Sequence, residues 1–282
     1  GGAALGSVIY AESSVQITDS RIHSNSATSG RGGNTVSDSG NTGAAGSAGH
    51  AGGALFMNGG SLVVTRSSFA SNTATGTVGG NGANASSYSG SGGSAFGASI
   101  TLQGSATATI VNSAFSANSA VGGNAGFAPS GSTAGYGGNA WGAAIFNRNA
   151  NLTVRNCTFS SNSMARGVKN GGNGGGDGSN VGGAILQWEA GASLTLMDTI
   201  AANSVNGNDV NVSAGAVAGS GNLVESNAGL TAGIVLVTSD PALVAFGDIG
   251  GTSQGFALNL GSPAIDVATC SGGIVTSDQR NL

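Results

Sequence analysis

The chain has 282 residues, of which 54 are glycine, 7% are charged and 39% are hydrophobic, and its formal net charge is −4. Enough apolar residues remain to build a core, which excludes a simply disordered chain. The charges form no block of either sign and no apolar run approaches about 18 residues, so neither a nucleic-acid partner nor a membrane-spanning helix is predicted.

An alternating motif recurs five times, and each copy places a large apolar residue three positions before an asparagine. The fourth copy reads LTVRNCTFSSN, from Leu152 to Asn162. The five pairs are Ile22 and Asn25, Phe69 and Asn72, Phe115 and Asn118, Phe159 and Asn162, and Ile200 and Asn203. Successive asparagines lie 47, 46, 44 and 41 residues apart. A fixed period of this size indicates a repeat architecture.

Each repeat begins with a GG-A segment, continues with the alternating motif and ends in an insertion rich in Gly, Ser, Asn and Ala. The apolar spacing of two, as in Leu62 and Val64, predicts strands. The insertions run from Ser26 to Ala51, Thr75 to Ser91, Val121 to Tyr136 and Ala165 to Val181. We predict a repeat domain over residues 1–204, followed by degenerate last turns and a capping segment over 205–282.

These strands predict an all-β parallel solenoid with about two turns per 41–47-residue repeat. Equivalent residues would stack about 4.8 Å apart in columns. Roughly ten to twelve turns would then give a rod on the order of 50 Å long. A β-propeller is the alternative, but it needs four strands per blade. The insertions must emerge on one side, either as flexible linkers or as a second, Gly-rich layer.

The repeated asparagine has two interpretations. An inward amide at a corner would bond backbone groups that the bend leaves unpaired and would form a ladder from coil to coil. Alternatively, each asparagine is an exposed turn residue. We favour the ladder, because turn preference alone does not require one residue at one offset in five copies.

The sequence predicts no cofactor and no metal site. Cys157 and Cys270 lack metal-ligand spacing, and they would suit either one disulfide, in an oxidising compartment, or two buried thiols. The run GGNGGGDG at Gly171 lacks the spacing of a calcium-binding nonapeptide repeat.

The C-terminal segment resembles a known family. The motifs that carry the resemblance are GSPAID from Gly261 to Asp266 and DQR from Asp278 to Arg280, together with the GG-A and F-x-x-N repeats. In these motifs the chain resembles bacterial right-handed parallel β-helix proteins with polymorphic outer-membrane-protein repeats and a choice-of-anchor C-terminal segment. The chain departs from the family pattern at Ile249 and Asn281. The resemblance implies a right-handed coil and secretion or surface display, and it carries over no catalytic residue.

Parallel β-helices also host polysaccharide lyases and hydrolases, so catalysis needs a separate test. Glycoside hydrolysis requires two carboxylates about 5–10 Å apart. Asp19 and Asp198 share a repeat position, but Arg66, Asn112 and Asn156 occupy that position between them, so no acidic column is predicted.

We therefore predict a non-enzymatic, extracellular structural or adhesive solenoid of the bacterial cell surface. Self-association is expected, head to tail into a filament or laterally, together with contact to a cell surface or polysaccharide. A carbohydrate-active β-helix is the alternative. Ice binding rests on a single T-x-T copy at Thr107 and Thr109.

Two further predictions concern particular side chains. Asp266 and Arg280 are expected to form an ion pair that fixes the cap. The aromatic residues Trp141, Trp188, Tyr88 and Tyr136 are dispersed in sequence, so no aromatic sugar-binding platform is predicted.

Overall fold

Five parallel sheets organise the chain. The computed structural model describes residues 1–36, 43–266 and 278–280, and within these ranges the regular structure is all strand. Each of the first four repeats adds one short strand to every sheet, and equivalent strands of successive repeats pair in parallel. The chain is a parallel β-solenoid, which confirms the predicted fold class.

Sheets 1 to 3 follow one another around each coil. Sheet 1 contains Ala4–Leu5, Ala51–Gly52, Ala95–Phe96, Ala140–Trp141 and Asn180–Val181. Sheet 2 contains Ile9–Ala11, Leu55–Asn58, Ile100–Gln103, Ile145–Asn147, Ile185–Gln187, Val210–Val212 and Asn227–Ala228. Sheet 3 contains Val15–Thr18, Ser61–Thr65, Thr107–Val111, Asn151–Arg155, Ser193–Met197 and Ala216–Ser220.

Sheets 4 and 5 complete the coil before the chain enters each insertion. Sheet 4 contains Arg21–His23, Ser68–Ala70, Ala114–Ser116, Thr158–Ser160, Ile200–Ala202, Asn222–Val224 and Val235–Val237. Sheet 5 contains Ser26–Thr28, Thr73–Thr75, Ser119–Val121 and Ser163–Ala165. Two small pairs lie outside the coil: Ala128–Thr133 with Gly171–Asn173, and Gly247–Asp248 antiparallel to Gln254–Gly255.

One repeat makes one coil, so the prediction of two turns per repeat is wrong. Phe69 pairs with Phe115, and Phe115 pairs with Phe159. Residues that pair in a sheet are therefore one full repeat apart in the sequence, because the chain also passes through the insertion in each coil. Sheets 2 and 4 each hold seven strands, so the described stack is about 30 Å long at 4.8 Å per coil.

The core consists of columns of identical or similar side chains. The phenylalanine rings stack nearly parallel, with centroids 4.9 Å apart between Phe69 and Phe115 and 4.6 Å apart between Phe115 and Phe159. All three are fully buried, and burial stabilises each by about 1.5–3 kcal/mol relative to exposure. A second column contains Ile17, Val64, Ile110, Val154 and Leu196.

The insertions form a second layer in register with the coils. Backbone bonds join equivalent positions of neighbouring insertions, as where the Gly32 amide donates to the Val78 carbonyl at 3.1 Å. Other bonds join the outgoing and returning arms: the Gly46 amide donates to Gly33 at 2.8 Å, and the Gly80 amide to Gly46 at 3.0 Å. Of the two possibilities that the composition left open, the structure shows the ordered layer.

Glycine is required where the arms of this layer meet. A Cβ added to Gly80 would overlap the carbonyl oxygen of Gly33, and one added to Gly126 would overlap that of Gly80. The bonded glycines lie three residues apart along each arm, as Gly30 and Gly33 do. This spacing equals one turn of a polyproline II helix, and in collagen glycine at every third position lets three such chains approach closely.

The C-terminal segment returns along the outside of the stack, and we call residues 240–266 with 278–280 the strap. After the last strand of sheet 4 the strap reaches the first coil. There the Thr252 hydroxyl donates to Asp19 at 2.8 Å, and Arg21 Nε donates to the Thr252 carbonyl at 3.2 Å. Phe246 meets the His23 ring edge-on, with centroids 5.9 Å apart.

Candidate functional site

Four of the predicted asparagines form a continuous ladder in the turn between sheets 4 and 5. The Nδ2 of Asn25, Asn72 and Asn118 donates in each case to the Oδ1 of the asparagine one coil further on, at 2.9–3.0 Å. The same Oδ1 atoms accept backbone amides at 3.1 Å, and Asn118 Nδ2 also donates to the Phe69 carbonyl. Asn72, Asn118 and Asn162 are fully buried, so the ladder satisfies polar groups inside the turn.

The fifth pair does not belong to these columns. Ala201 pairs with Phe159, and Ile200 pairs with Thr158. Asn203 is exposed, with a φ of 58°, and its backbone amide donates to Glu225 at 2.8 Å. The sequence prediction for Ile200 and Asn203 is therefore displaced by one residue.

Cys157 lies in the turn just before the fourth strand of sheet 4 and is a buried free thiol. Its sulfur is 3.2 Å from the Arg155 carbonyl oxygen. Burial raises the pKa of the thiol to about 12. Cys270, the other member of the predicted pair, lies outside the described residues.

The predicted ion pair between Asp266 and Arg280 is not among those of the described residues. Arg280 Nε instead donates to Asp278, two residues earlier, at 2.6 Å. The short sequence separation favours this local contact.

Between the strap and the stack lies an open cavity of about 770 Å³, lined in part by Asn112, Phe256 and Arg280.

The turn between sheets 3 and 4 carries one residue of left-handed backbone in each coil. These residues have φ values between 45° and 50° and are Asp19, Arg66, Asn112, Asn156 and Asp198. Arg66 donates to both oxygens of Asp19, at 2.7 and 2.8 Å. Burial raises the pKa of Asp198, whose Oδ1 lacks a partner. The two acids thus lie at opposite ends of the column.

The aromatic groove is the feature that sequence reasoning missed. We define it by six side chains on the outer faces of sheets 1 and 2 and the turn after sheet 2: Tyr10, Phe56, Phe96, Trp141, Phe146 and Trp188. The ring centroids of Trp141 and Trp188 are 4.6 Å apart, and those of Phe96 and Phe146 are 5.1 Å apart. Trp141, Trp188 and Phe96 are partly exposed and Tyr10 is half exposed, whereas Phe56 and Phe146 are buried. The dispersed tryptophans therefore do meet, contrary to the expectation.

A signal for the groove was present in the GG-A segments. Phe96 and Trp141 occupy the same offset in GGSAFG and GGNAWG, and they pair in sheet 1. Repeat position, not closeness in sequence, brings them together, since the coil places equivalent residues side by side.

A row of polar side chains, which we call the polar ridge, borders the groove at the turn after sheet 2. It contains Glu12, Asn58, Gln103, Arg148 and Glu189. Asn58 Nδ2 donates to Glu12 at 3.1 Å, and Gln103 Nε2 donates to Asn58 Oδ1 at 3.2 Å. Tyr10 of the groove donates its hydroxyl to Glu12 at 2.9 Å. The ridge and the groove are therefore in direct contact.

At its other end the ridge holds an ion pair beside Trp188. Arg148 Nε donates to Glu189 at 2.7 Å, and both side chains are partly exposed. They line a shallow depression of about 270 Å³ together with Gln103, Gly104 and Asn149.

Electrostatically, the groove region carries little net charge. The Asn58 amide and then the Tyr10 hydroxyl lower the pKa of Glu12, which keeps it ionised. His50, whose ring centroid is 5.5 Å from that of Phe96, has its pKa lowered by burial and is neutral at pH 7. The Ser94 amide donates to His50 Nδ1 at 3.2 Å.

Fold and surface together define a parallel β-solenoid with a glycine layer, a strap and a laterally exposed aromatic groove. The chain matches no protein-family model, no curated protein and no solved structure. In the described ranges no cluster of three or more His, Cys, Asp or Glu side chains could hold a metal ion. No helix in those ranges is long and apolar enough to cross a membrane.

Proposed function

We propose that this protein is a non-enzymatic, secreted structural and adhesive solenoid of the bacterial cell surface. The observation that carries the proposal is the continuity of the stack. The asparagine ladder and the phenylalanine column run through successive coils, and the glycine layer runs beside them. A rod stiffened in this way suits a mechanical role, and the resemblance of the GSPAID and DQR motifs adds the surface location.

The state of the carboxylates supports the non-enzymatic part of the proposal. Asp19, Asp177, Glu189 and Asp278 each form an ion pair with an arginine. Arg66 and then Thr252 lower the pKa of Asp19, whereas a general acid needs a carboxyl group that holds its proton near neutral pH. Burial raises the pKa of Asp198, but Asp198 lies four coils from Asp19, about 19 Å at 4.8 Å per coil, which exceeds the roughly 5–10 Å that glycoside hydrolysis requires.

Self-association is part of the proposal. The strands of the first coil are edge strands of their sheets, and Ile9, Val15 and Ile22 are only partly buried there. Edge strands with apolar neighbours pair readily with further strands. We expect residues 1–282 to assemble end to end above micromolar concentration, and a single small species in light scattering would contradict this expectation.

Immunogold electron microscopy of intact and permeabilised cells of the source bacterium tests the location. Labelling of intact cells is expected, and adhesion to surfaces should fall in a strain that lacks the protein. Label confined to permeabilised cells would refute the proposal. Release of reducing ends from polysaccharides by the purified protein would favour the carbohydrate-active alternative instead.

A further inference from the structure

We propose that the aromatic groove and the polar ridge bind a neutral polysaccharide laid along the solenoid axis. The inference rests on the proposed adhesive function and names the ligand class for it. It starts from the arrangement of partly exposed rings beside hydrogen-bonding side chains on one face.

The rings supply the apolar half of the site. Trp141 and Trp188 stack on each other, and Phe96 extends the same surface, its centroid 5.7 Å from that of Trp141. The buried Phe146 packs against Phe96 and Trp141 and supports them. A pyranose ring presents a face of C–H groups that packs against apolar surface, and these rings, which stack on one another, present their partly exposed edges to it. Partly exposed aromatic rings in a row thus offer successive sugar faces a place to lie.

The ridge supplies the polar half. Asn58 and Gln103 each carry a donor and an acceptor in one amide group, and Arg148 and Glu189 add charged partners in the adjoining depression. Sugar hydroxyls both donate and accept, so amide and ion-pair edges beside an aromatic surface match their chemistry. Ligand sites generally combine an apolar lining with a few such placed polar groups.

The charges of the groups around the groove favour a neutral ligand. Glu12 is ionised, His50 is neutral, and Arg148 is compensated by Glu189. None of these groups offers an uncompensated cation, so an acidic polysaccharide would meet repulsion from Glu12 without a matching attraction.

The length of the groove favours a polysaccharide chain over a single sugar. Tyr10 lies in the first coil and Trp188 follows the fifth strand of sheet 2. Four steps of about 4.8 Å separate these coils, so the groove extends roughly 19 Å along the axis. A single sugar would cover only a part of this surface.

Tryptophan fluorescence and affinity electrophoresis test the proposal with defined probes. The chain has only two tryptophans, and both lie in the groove, so indole emission reports on this site alone. Hydroxyethyl cellulose, mixed-linkage β-glucan and dextran serve as neutral probes, and polygalacturonate serves as the acidic one. We expect at least one neutral probe to shift the emission and retard migration, and Trp188→Ala to weaken that binding at least tenfold.

Tyr136→Ala is the matched control, because Tyr136 is 62% exposed, lies in an insertion and is not one of the six rings that define the groove; it should bind as wild type does. Should Trp188→Ala fail to fold, Trp188→Phe is expected to retain binding and Tyr10→Ala to weaken it. Binding by no neutral probe, binding by polygalacturonate alone, or unchanged affinity in both Trp188→Ala and Tyr10→Ala would each overturn the inference. Surface labelling without glycan binding overturns this inference only, whereas glycan binding by a protein confined inside the cell overturns the proposed function only.

Discussion

At the scale of single residues, Asn118 shows how the turn between sheets 4 and 5 supplies hydrogen-bond partners to its buried polar groups. Its Nδ2 donates to Asn162 Oδ1 and to the Phe69 carbonyl, while its Oδ1 accepts the backbone and side-chain amides of Asn72. Every polar atom of the side chain is therefore used. Removing it would leave donors of Asn72 buried without partners, which costs more than the bonds themselves contribute.

We predict that Asn118→Ala lowers the free energy of unfolding by about 2–4 kcal/mol. Asn203→Gly is the control, since Asn203 looks equivalent in the sequence but is exposed, and glycine keeps its left-handed backbone. The control should change stability by less than about 1 kcal/mol. Urea unfolding followed by circular dichroism measures both, and equal losses would contradict the ladder as a stabilising device.

The buried Cys157 gives a second prediction at this scale. With the thiol pKa raised by burial to about 12, we expect it to resist a thiol reagent at pH 8 in the folded Cys270→Ser variant. Reactivity requires the thiolate and access to it. In denaturant the same thiol should react at an ordinary rate. Similar rates in the folded and the unfolded protein would show that the thiol is exposed.

The residue columns show what the sequence could and could not predict. The alternation in LTLMDTI pairs Leu194 with Leu152 and Leu196 with Val154, and this alternation sets the register. The I-x-x-N signature of Ile200 and Asn203 suggested another register, one residue away. The alternation prevails because a one-residue slip would turn every inward side chain of the strand outward.

At the scale of elements, the glycine layer could not be predicted, because its composition is also that of flexible linkers. Its order depends on bonds between arms of different insertions, such as that from Gly126 to Gly90 at 2.9 Å. Such pairings follow from the coil register, which composition does not encode.

We predict that Gly80→Ala destabilises the protein by about 1–3 kcal/mol, as overpacking commonly does. The added methyl group would overlap the Gly33 carbonyl oxygen. Gly33→Ala is the matched control, because no atom lies within 4 Å of the position that its added methyl group would take; it should be neutral or slightly stabilising. Thermal unfolding of both variants measures the difference, and a neutral Gly80→Ala would mean that the arms are not in close contact in solution.

The strap gives the second prediction at this scale. Arg66 and then Thr252 lower the pKa of Asp19, so this contact is fully present above the ordinary carboxyl pKa of about 4 and is lost as pH falls through the lowered pKa of Asp19. We expect Asp19→Asn to speed amide exchange in residues 244–258 at neutral pH at least threefold. Glu189→Gln breaks a similar exposed ion pair away from the strap and should leave that exchange unchanged. Unaltered amide exchange in Asp19→Asn would show that this contact does not hold the strap against the first coil.

At the scale of the whole molecule, the period predicted a solenoid but not the number of coils. Strand groups in a 45-residue stretch fit two turns by length alone. The structure instead places five short strands in one coil and extends the coil by the insertion. Where the insertion is absent, Asn222 lies against Thr199 after only 23 residues. The coil itself is thus about half a repeat long, which explains why length alone was misleading.

A deletion distinguishes these two arrangements directly. Because Asn72 and Asn118 are equivalent positions 46 residues apart, removing residues 73–118 joins Asn72 to Ser119 and keeps every column in register. Thr73, the first deleted residue, pairs with both Ser26 and Ser119, so Ser119 can take its place in sheet 5. We expect this chain to fold with cooperative unfolding at a lower midpoint, since each coil contributes its own contacts. Removing only residues 96–118, which hold the sheet 2, sheet 3 and sheet 4 strands of one coil, would join a sheet 1 strand directly to a sheet 5 strand and should abolish cooperative unfolding. If the shorter deletion folds and the full-repeat deletion does not, one coil per repeat is the wrong description of this molecule.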